Sequence, residues 1–333
     1  MVSSNGVKTL ALVACLLCGP TALLAADSAP GSAHQWLDYM STSMRTLDYD
    51  GTFVYYHDGK LEAMRIVHQA GAGGEKERLM SLTGSAREVL RDDKVVTCIM
   101  PDNRSVMVNQ SRPRQPFPRV PDDLASLSPF YILNDAGNDR VAGLMTRVIA
   151  ITPRDQYRYG YRFWIDSTNN MLLRYELNDV NGDAIEQVMF TSMQVGSGIQ
   201  PGDLEPSLTG EGYNWYRTEE DTGTPAAGTV AAGVPPQWQV RQLPAGYALT
   251  ETRRQRVRRG GEYAEHLIFS DGLATASVYV EKLMPGSNPF TGLSSMGALN
   301  AYGHLIDDYQ VTVVGEVPAA TVQDMALSVA RQN

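Results

Sequence analysis

Short strand-like runs rich in apolar and aromatic residues, punctuated by tight-turn pairs such as Asp-Gly and Asn-Gly, recur along this chain, and that pattern commits it to antiparallel sheet. Residues 52–57 and 61–69 flank an Asp58-Gly59 pair, which reads as a hairpin with a tight turn. Further strands are predicted at 87–90 and 95–100, joined across Asp92-Asp93, and at 105–108. A second group follows at 144–151, 157–166, 171–177 and 184–195, with turns at 167–170 and Asn181-Gly182. Strands joined by such short turns build a large antiparallel sheet.

One helix precedes the strands. Trp36, Leu37, Met40, Met44 and Leu47 recur at three- and four-residue spacing, so residues 35–47 are predicted as an amphipathic helix. In the later group, Tyr157, Tyr159, Tyr161 and Phe163 alternate with Arg158, Gly160, Arg162 and Trp164. Aromatics thus crowd one sheet face, which must cover something bulky and apolar: helices packed as ordinary core, or a lipid-filled cavity. Between the strand groups, Pro113, Pro116, Pro118 and Pro121 rule out a central strand or helix, and Arg112, Arg114 and Arg119 keep the segment solvated. A long exposed loop leading into a short helix near 124–133 is expected there, a candidate for partner contact or for covering a cavity.

The N-terminus sets the compartment. Lys8, an apolar run over 10–17 and small residues ending at Ala25-Ala26 make residues 1–26 a cleavable secretory signal, too short in its apolar part to span a bilayer. Leu12-Val13-Ala14-Cys15 has the wording of a lipoprotein processing site, but too few apolar residues precede Cys15. Losing Lys8 with the signal takes the net charge from −9 to −10, which argues against nucleic-acid binding through the bulk surface. Of three cysteines only Cys98 remains, so no intramolecular disulfide forms, and Cys98 reads as a small hydrophobe in a strand.

A Gly-, Ala-, Thr- and Pro-rich stretch, 217–236, separates a large domain at 27–216 from a smaller one at 237–333. The smaller is expected to be α+β, with strands at 248–258, 263–270, 273–283 and 309–315 and a helix over 318–330. Five arginines, Arg253, Arg254, Arg256, Arg258 and Arg259, fall within seven residues there. On a strand Arg254, Arg256 and Arg258 share a face, giving either a charge-protected edge or a docking surface for an acidic partner.

Catalytic and metal motifs are missing. The five histidines are scattered singly, with no HExxH, GxSxG, Walker or GxGxxG pattern, and no cofactor is expected. His266, Ser270 and Asp271 do not make a triad, since His266 and Ser270 on one strand stand about 13 Å apart.

Several fragments together resemble the MucB/RseB family of periplasmic regulators of the sigma-E (AlgU-type) envelope-stress response. They are GSAREV from Gly84, LSPFY from Leu127, RYGYRFWID from Arg158, LPAGY from Leu243, SDGLA from Ser270 and VTVVGEVP from Val311. The resemblance implies an α+β protein whose large antiparallel half-barrel, similar to LolA and LolB, carries helices on its concave face, beside a smaller α+β C-terminal domain. It implies a non-enzymatic negative regulator that binds the periplasmic domain of an RseA/MucA-type anti-sigma factor and shields it from regulatory proteolysis. Release would come from lipopolysaccharide or acylated lipoprotein. Site assignments under it are regional: Arg253, Arg254, Arg256, Arg258 and Arg259 for the partner, and Trp36, Met40, Phe117, Phe130, Tyr131 and Phe163 for the lipid or its lid. The rival readings are a periplasmic lipoprotein or lipid carrier and an envelope hydrolase; monomer and homo-oligomer both remain open.

Overall fold

The structure, a computed structural model, describes residues 31–71, 74–92, 95–110, 117–118, 120–121, 123–196, 198–217, 236–256, 263–284 and 286–332. The segment expected to be a signal, most of the expected linker, Arg112, Arg114, Arg119, Arg258 and Arg259 lie outside them.

Helix α1 (Ala33–Thr46) starts at a capping box in which Ser32 Oγ accepts from the Gln35 amide while Gln35 Oε1 accepts from the Ser32 amide. It buries Trp36, Leu37, Met40 and Met44 of the predicted stripe, while Leu47, the fifth member, is the C-cap and only partly buried. Next come β1 (Tyr49–His57), β2 (Lys60–Gly71), β3 (Gly74–Ser81), β4 (Glu88–Asp92), β5 (Val95–Met100) and β6 (Ser105–Gln110). After a crossing segment follow β7 (Tyr131–Val141), β8 (Leu144–Pro153), β9 (Gly160–Asp166), β10 (Leu172–Asn178), β11 (Ala184–Val195) and β12 (Asn214–Arg217). These twelve strands form one sheet in the order β12-β6-β5-β4-β3-β2-β1-β11-β10-β9-β8-β7, antiparallel except where β12 lies parallel to β6.

That order is two meanders joined edge to edge where β1 pairs with β11. The chain leaves β6 near one edge of the sheet and re-enters at β7 on the other, so the connecting segment must cross the sheet. The sheet is curled around what crosses it. Helix α1 packs against β2 and also against β7 and β8. In a flat sheet β2 and β7 would stand about 29 Å apart, more than twice the width of a helix. Register shifts at Thr52/Phe53, Leu172/Arg174, Leu177/Asn178 and Asp135/Asn138 supply local bends.

The described part of the crossing segment is not the exposed loop expected from its prolines and arginines. Phe117, Val120, Leu124 and Leu127 are buried in the concave cluster with α1, because a strap laid across an apolar sheet face removes its own apolar residues from water. The helix expected over 124–133 is only a 3-10 turn, Leu124–Leu127, capped by Asp123 Oδ1. Beyond it Tyr131 pairs opposite Pro153 and the chain continues as strand.

The smaller domain has strands β13 (Trp238–Val240), β14 (Ala248–Arg256), β15 (Tyr263–Ser270), β16 (Thr275–Lys282), β17 (Gly292–Met296), β18 (Leu299–Ile306) and β19 (Tyr309–Gly315), then α2 (Ala319–Leu327) and β20 (Val329–Arg331). Six of them form an antiparallel sheet, β14-β15-β16-β19-β18-β17, and β13 pairs with β20. Helix α2 buries Val322, Met325 and Ala326 in one cluster with Val278, Val280, Val311 and Val313. It ends sooner than its apolar spacing suggests, since Val329–Arg331 pairs with Trp238–Val240 and the Arg331 guanidinium lies over Trp238 and Tyr309.

Candidate functional site

The concave cluster gathers all six residues expected to line or cover it. Trp36, Met40, Phe117, Tyr131 and Phe163 are buried and Phe130 is half-buried against them. Phe117, delivered by the crossing strap, sits 6.0 Å from the Phe53 ring and 5.7 Å from Phe190, so the strap itself fills part of the concave face. A separate cleft of about 380 Å³ at the ends of β8, β9 and β10, bordered by Arg154, Asp155, Arg162 and Asp179, holds none of the six.

The two domains meet at a buried ion pair. Arg158 Nη1 donates to Asp271 Oδ2 at 2.8 Å, with both side chains at 0% exposure. Arg158 also donates to Asp155 Oδ1 at 3.0 Å and to the Ala245 carbonyl at 2.6 Å, and its guanidinium lies 5.0–5.4 Å from the rings of Phe130, Tyr131 and Tyr247. Tyr131 completes the site by donating its hydroxyl to Asp271 Oδ2 at 2.8 Å. Burial works against the charge on Arg158, but the bond to Asp155 and the Asp271 carboxylate outweigh it and raise its pKa. Burial and the same carboxylate push the Tyr131 and Tyr247 hydroxyls far up, so both stay protonated donors.

Around this pair the contact is continuous. Tyr247 and Thr321 hydroxyls both donate to the Tyr157 carbonyl, and the Tyr157 hydroxyl donates to Asp324. Tyr159 accepts from Asn300 Nδ2 at 2.9 Å and donates to the Ala298 carbonyl at 3.3 Å. Gly246, at φ +88°, presses against the face of Phe130, where a Cβ would stand only 2.6 Å from the ring.

Sequence reasoning placed these residues differently. Asp271-Gly272 reads as turn geometry alone, and Asp271 Oδ1 does accept from the Leu273 and Ala274 amides. Its other oxygen faces the large domain. Arg158 reads as a member of a mixed strand face, yet it lies ahead of β9 and is fully buried. Residues 113 positions apart carry no local signal for pairing. The fragments LSPFY, RYGYRFWID, LPAGY and SDGLA converge at this interface, which is the one hint the sequence held.

The arginine row is divided. It begins on β14, an edge strand, where Arg253 chelates Glu251 with bonds of 2.5 and 2.6 Å and Arg254 stands 3.9 Å from Glu265. The rejected triad does not assemble: His266 Nε2 is 3.0 Å from Ser277 Oγ and its ring stacks on Tyr279, while Ser270 donates to the Ala274 carbonyl. Among the described residues no group of three or more His, Cys, Asp or Glu could hold a metal ion. A buried polar cluster does lie beyond the end of α1. His68 stacks on Tyr49 and points Nδ1 at the Leu47 carbonyl, and burial pushes the Glu77 carboxyl up to about 7 although Arg91 is 3.7 Å away.

Fold and interface together define a two-domain binding protein: a curled sheet wrapped around an apolar strap, docked through a buried charge pair onto a small sheet domain. The MucB/RseB N-terminal domain family matches residues 32–208 and the MucB/RseB C-terminal domain family matches residues 233–330; the chain belongs to the MucB/RseB family. It is 30% identical to the sigma factor AlgU regulatory protein MucB of Pseudomonas aeruginosa, over 94% of this chain and 95% of that protein. It is 24% identical to the sigma-E factor regulatory protein RseB of Escherichia coli strain K12, over 96% and 97% of the two chains. A crystal structure of MucB in complex with MucA(peri) is similar at TM-score 0.68 and 27% identity, covering 91% of this chain and all of that one; MucB crystallised alone gives 0.60 at 28% identity with the same coverage.

Proposed function

We propose that this protein is a periplasmic negative regulator that binds the periplasmic segment of a membrane-spanning anti-sigma factor of the MucA/RseA type and shields it from regulatory proteolysis. An acylated ligand on the concave face of the large domain ends the protection. The observation that carries this reading is the double role of Tyr131. Its ring belongs to the concave cluster with Phe117 and Phe163, and its hydroxyl holds Asp271 of the small domain. Leu273, from the same turn as Asp271, also packs into that cluster. A ligand that displaces Tyr131 therefore disturbs the domain contact directly. Coupling of this kind needs no relay, only two domain arrangements with different affinity for the partner. Family membership and the likeness to MucB solved with MucA(peri) support the partner class.

The test is titration of the full chain with the periplasmic segment of its anti-sigma factor, with and without saturating lipopolysaccharide. The reading expects the affinity to fall by at least an order of magnitude, the scale of an ordinary coupling energy. An unchanged affinity at saturation would refute the release mechanism.

A further inference from the structure

The four edges of the two large sheets are not defended alike. Edge β7 carries Asp135, Asp139 and Arg140 and a register shift, β14 carries Arg253 and Arg254, and β12 is four residues long and ends in Arg217. Edge β17 reads Gly292-Leu293-Ser294-Ser295-Met296, with no charge, no proline and no register shift. Leu293 is 50% exposed and Met296 66%. Charges, prolines and bulges are the devices that stop an edge from pairing with another chain, and this edge lacks all three.

Its hydrogen-bonding pattern is fixed by the turn. Met296 pairs with Leu299 across the two-residue turn Gly297-Ala298, so Met296, Ser294 and Gly292 use their backbone groups on β18. The amides and carbonyls of Leu293 and Ser295 consequently point outward. The same turn is one of the places where the small domain touches the large one: Ala298 accepts from Tyr159 and donates its amide to Glu186. A Cβ on Gly297 would lie 3.8 Å from Glu186 Oε1 and 3.9 Å from Asp58. Burial raises the Glu186 pKa, the exposed Glu316 carboxylate adds to the rise, and the Tyr55 hydroxyl and His57 oppose it. One end of the open edge thus abuts an acidic corner assembled from both domains.

Resting on the reading above that the partner is an anti-sigma periplasmic segment, we propose that β17 receives an extended stretch of that segment by strand addition. The stretch has apolar side chains beside Leu293 and Met296 and a Lys or Arg at the Gly297 end, seated on Glu186, Asp58 and Glu316. Backbone pairing supplies affinity and the acidic corner sets direction and register. Because the corner needs both domains, the site exists in full only while they are docked, which gives the domain contact its control over the partner.

The experiment uses the full chain and the periplasmic segment of its anti-sigma factor. Amide exchange of the wild-type complex should show new protection at Leu293 and Ser295. Ser295→Pro, which deletes an outward amide, and Leu293→Lys, which charges the edge, should each weaken binding about tenfold or more. Glu316→Lys should weaken it at low salt and much less at high salt. Protection elsewhere, with wild-type affinity in Leu293→Lys, would overturn the edge site while leaving the partner reading intact. No binding to the wild-type chain would overturn both. A concentration-dependent dimer abolished by Leu293→Lys would assign the edge to a second copy and overturn the proposal.

Discussion

Replacing Arg158 by Met tests the domain contact most severely, and its cost follows from the partners each side loses. In the wild type Asp271 Oδ2 is held by Arg158 at 2.8 Å and by Tyr131, with no exposure to solvent. Arg158→Met leaves Oδ2 enclosed with only the Tyr131 hydroxyl and the carboxylate without its cation, although Oδ1 keeps the Leu273 and Ala274 amides, and breaking a buried pair from one side costs about 3–5 kcal/mol. Asp271→Asn is milder. Arg158 then keeps Asp155 at 3.0 Å, a carboxylate still 30% exposed, and the Ala245 carbonyl, while the amide oxygen can still serve the turn. We expect about 1–3 kcal/mol for it. In the double variant the orphaned charge is gone, so its cost should fall short of the sum of the two single costs by about 2 kcal/mol. Water can reach the orphan if the domains part, so the loss should register first as faster amide exchange at 245–247 and 271–274 and only later in denaturant unfolding of the individual domains. Exchange by mass spectrometry on the four proteins of the cycle reads this directly. Equal costs for the two single variants, or strict additivity, would refute the account.

Other consequences are simpler to test. Between the usual carboxyl value of 4.5 and about 7 the unfolded chain has released the Glu77 proton that the folded chain keeps, so stability falls as pH rises through that window, by on the order of 3 kcal/mol. Glu77→Gln should flatten that slope, as measured by urea unfolding across the range; an undiminished slope would refute the assignment. Phe117→Ala removes a ring packed on Phe53 and Phe190 and should cost about 3 kcal/mol while increasing the uptake of a fluorescent acyl probe; unchanged uptake would count against a strap that occupies ligand space. Gly246→Ala places a methyl in the Phe130 ring at a positive φ and should cost at least about 2 kcal/mol, again seen first as exchange at the domain contact. Charge reversal at Arg254 and Arg256 should weaken partner binding at low salt far more than at high salt if β14 docks an acidic stretch; no salt dependence would leave it a protected edge.

Where a local rule acts alone, the sequence was sufficient. The stripe of α1 follows from three- and four-residue spacing, and the β1–β2 hairpin follows from Asp58-Gly59, whose φ values of +47° and +69° are those a two-residue turn of this hand requires. Where packing overrides the local pattern it was not. Gly74–Ser81 carries Glu75, Lys76, Glu77 and Arg78 and shows no alternation, because its polar side chains pair with neighbours across strands: Arg78 with Glu88, and Glu77 with Arg91. Tyr131–Val141 is an edge strand with most of its polar residues in water, so it reads as loop. The strap between β6 and β7 looks solvated from its prolines and arginines, and only the strand order shows that it must cross the concave face. As for the site, Trp36 and Met40 follow from helical spacing and Phe163 from the aromatic alternation of its strand, whereas the burial of Phe117 on the concave face had no local signal. The Arg158–Asp271 pair was not legible either, because nothing local links two charges in different domains.

The joining of two meanders at β1 and β11 also sets a timetable. Tyr49 finds its partner Val195 only after nearly all of the large domain has been synthesised. Until then β1–β6 form an open half whose apolar inner face has only α1 and the strap to cover it. Pairings so distant in sequence carry the loop-closure entropy that slows folding. The large domain should therefore close late and in one step, with the strap already laid across it, and the emerging half-sheet is the species most exposed to chaperones and proteases.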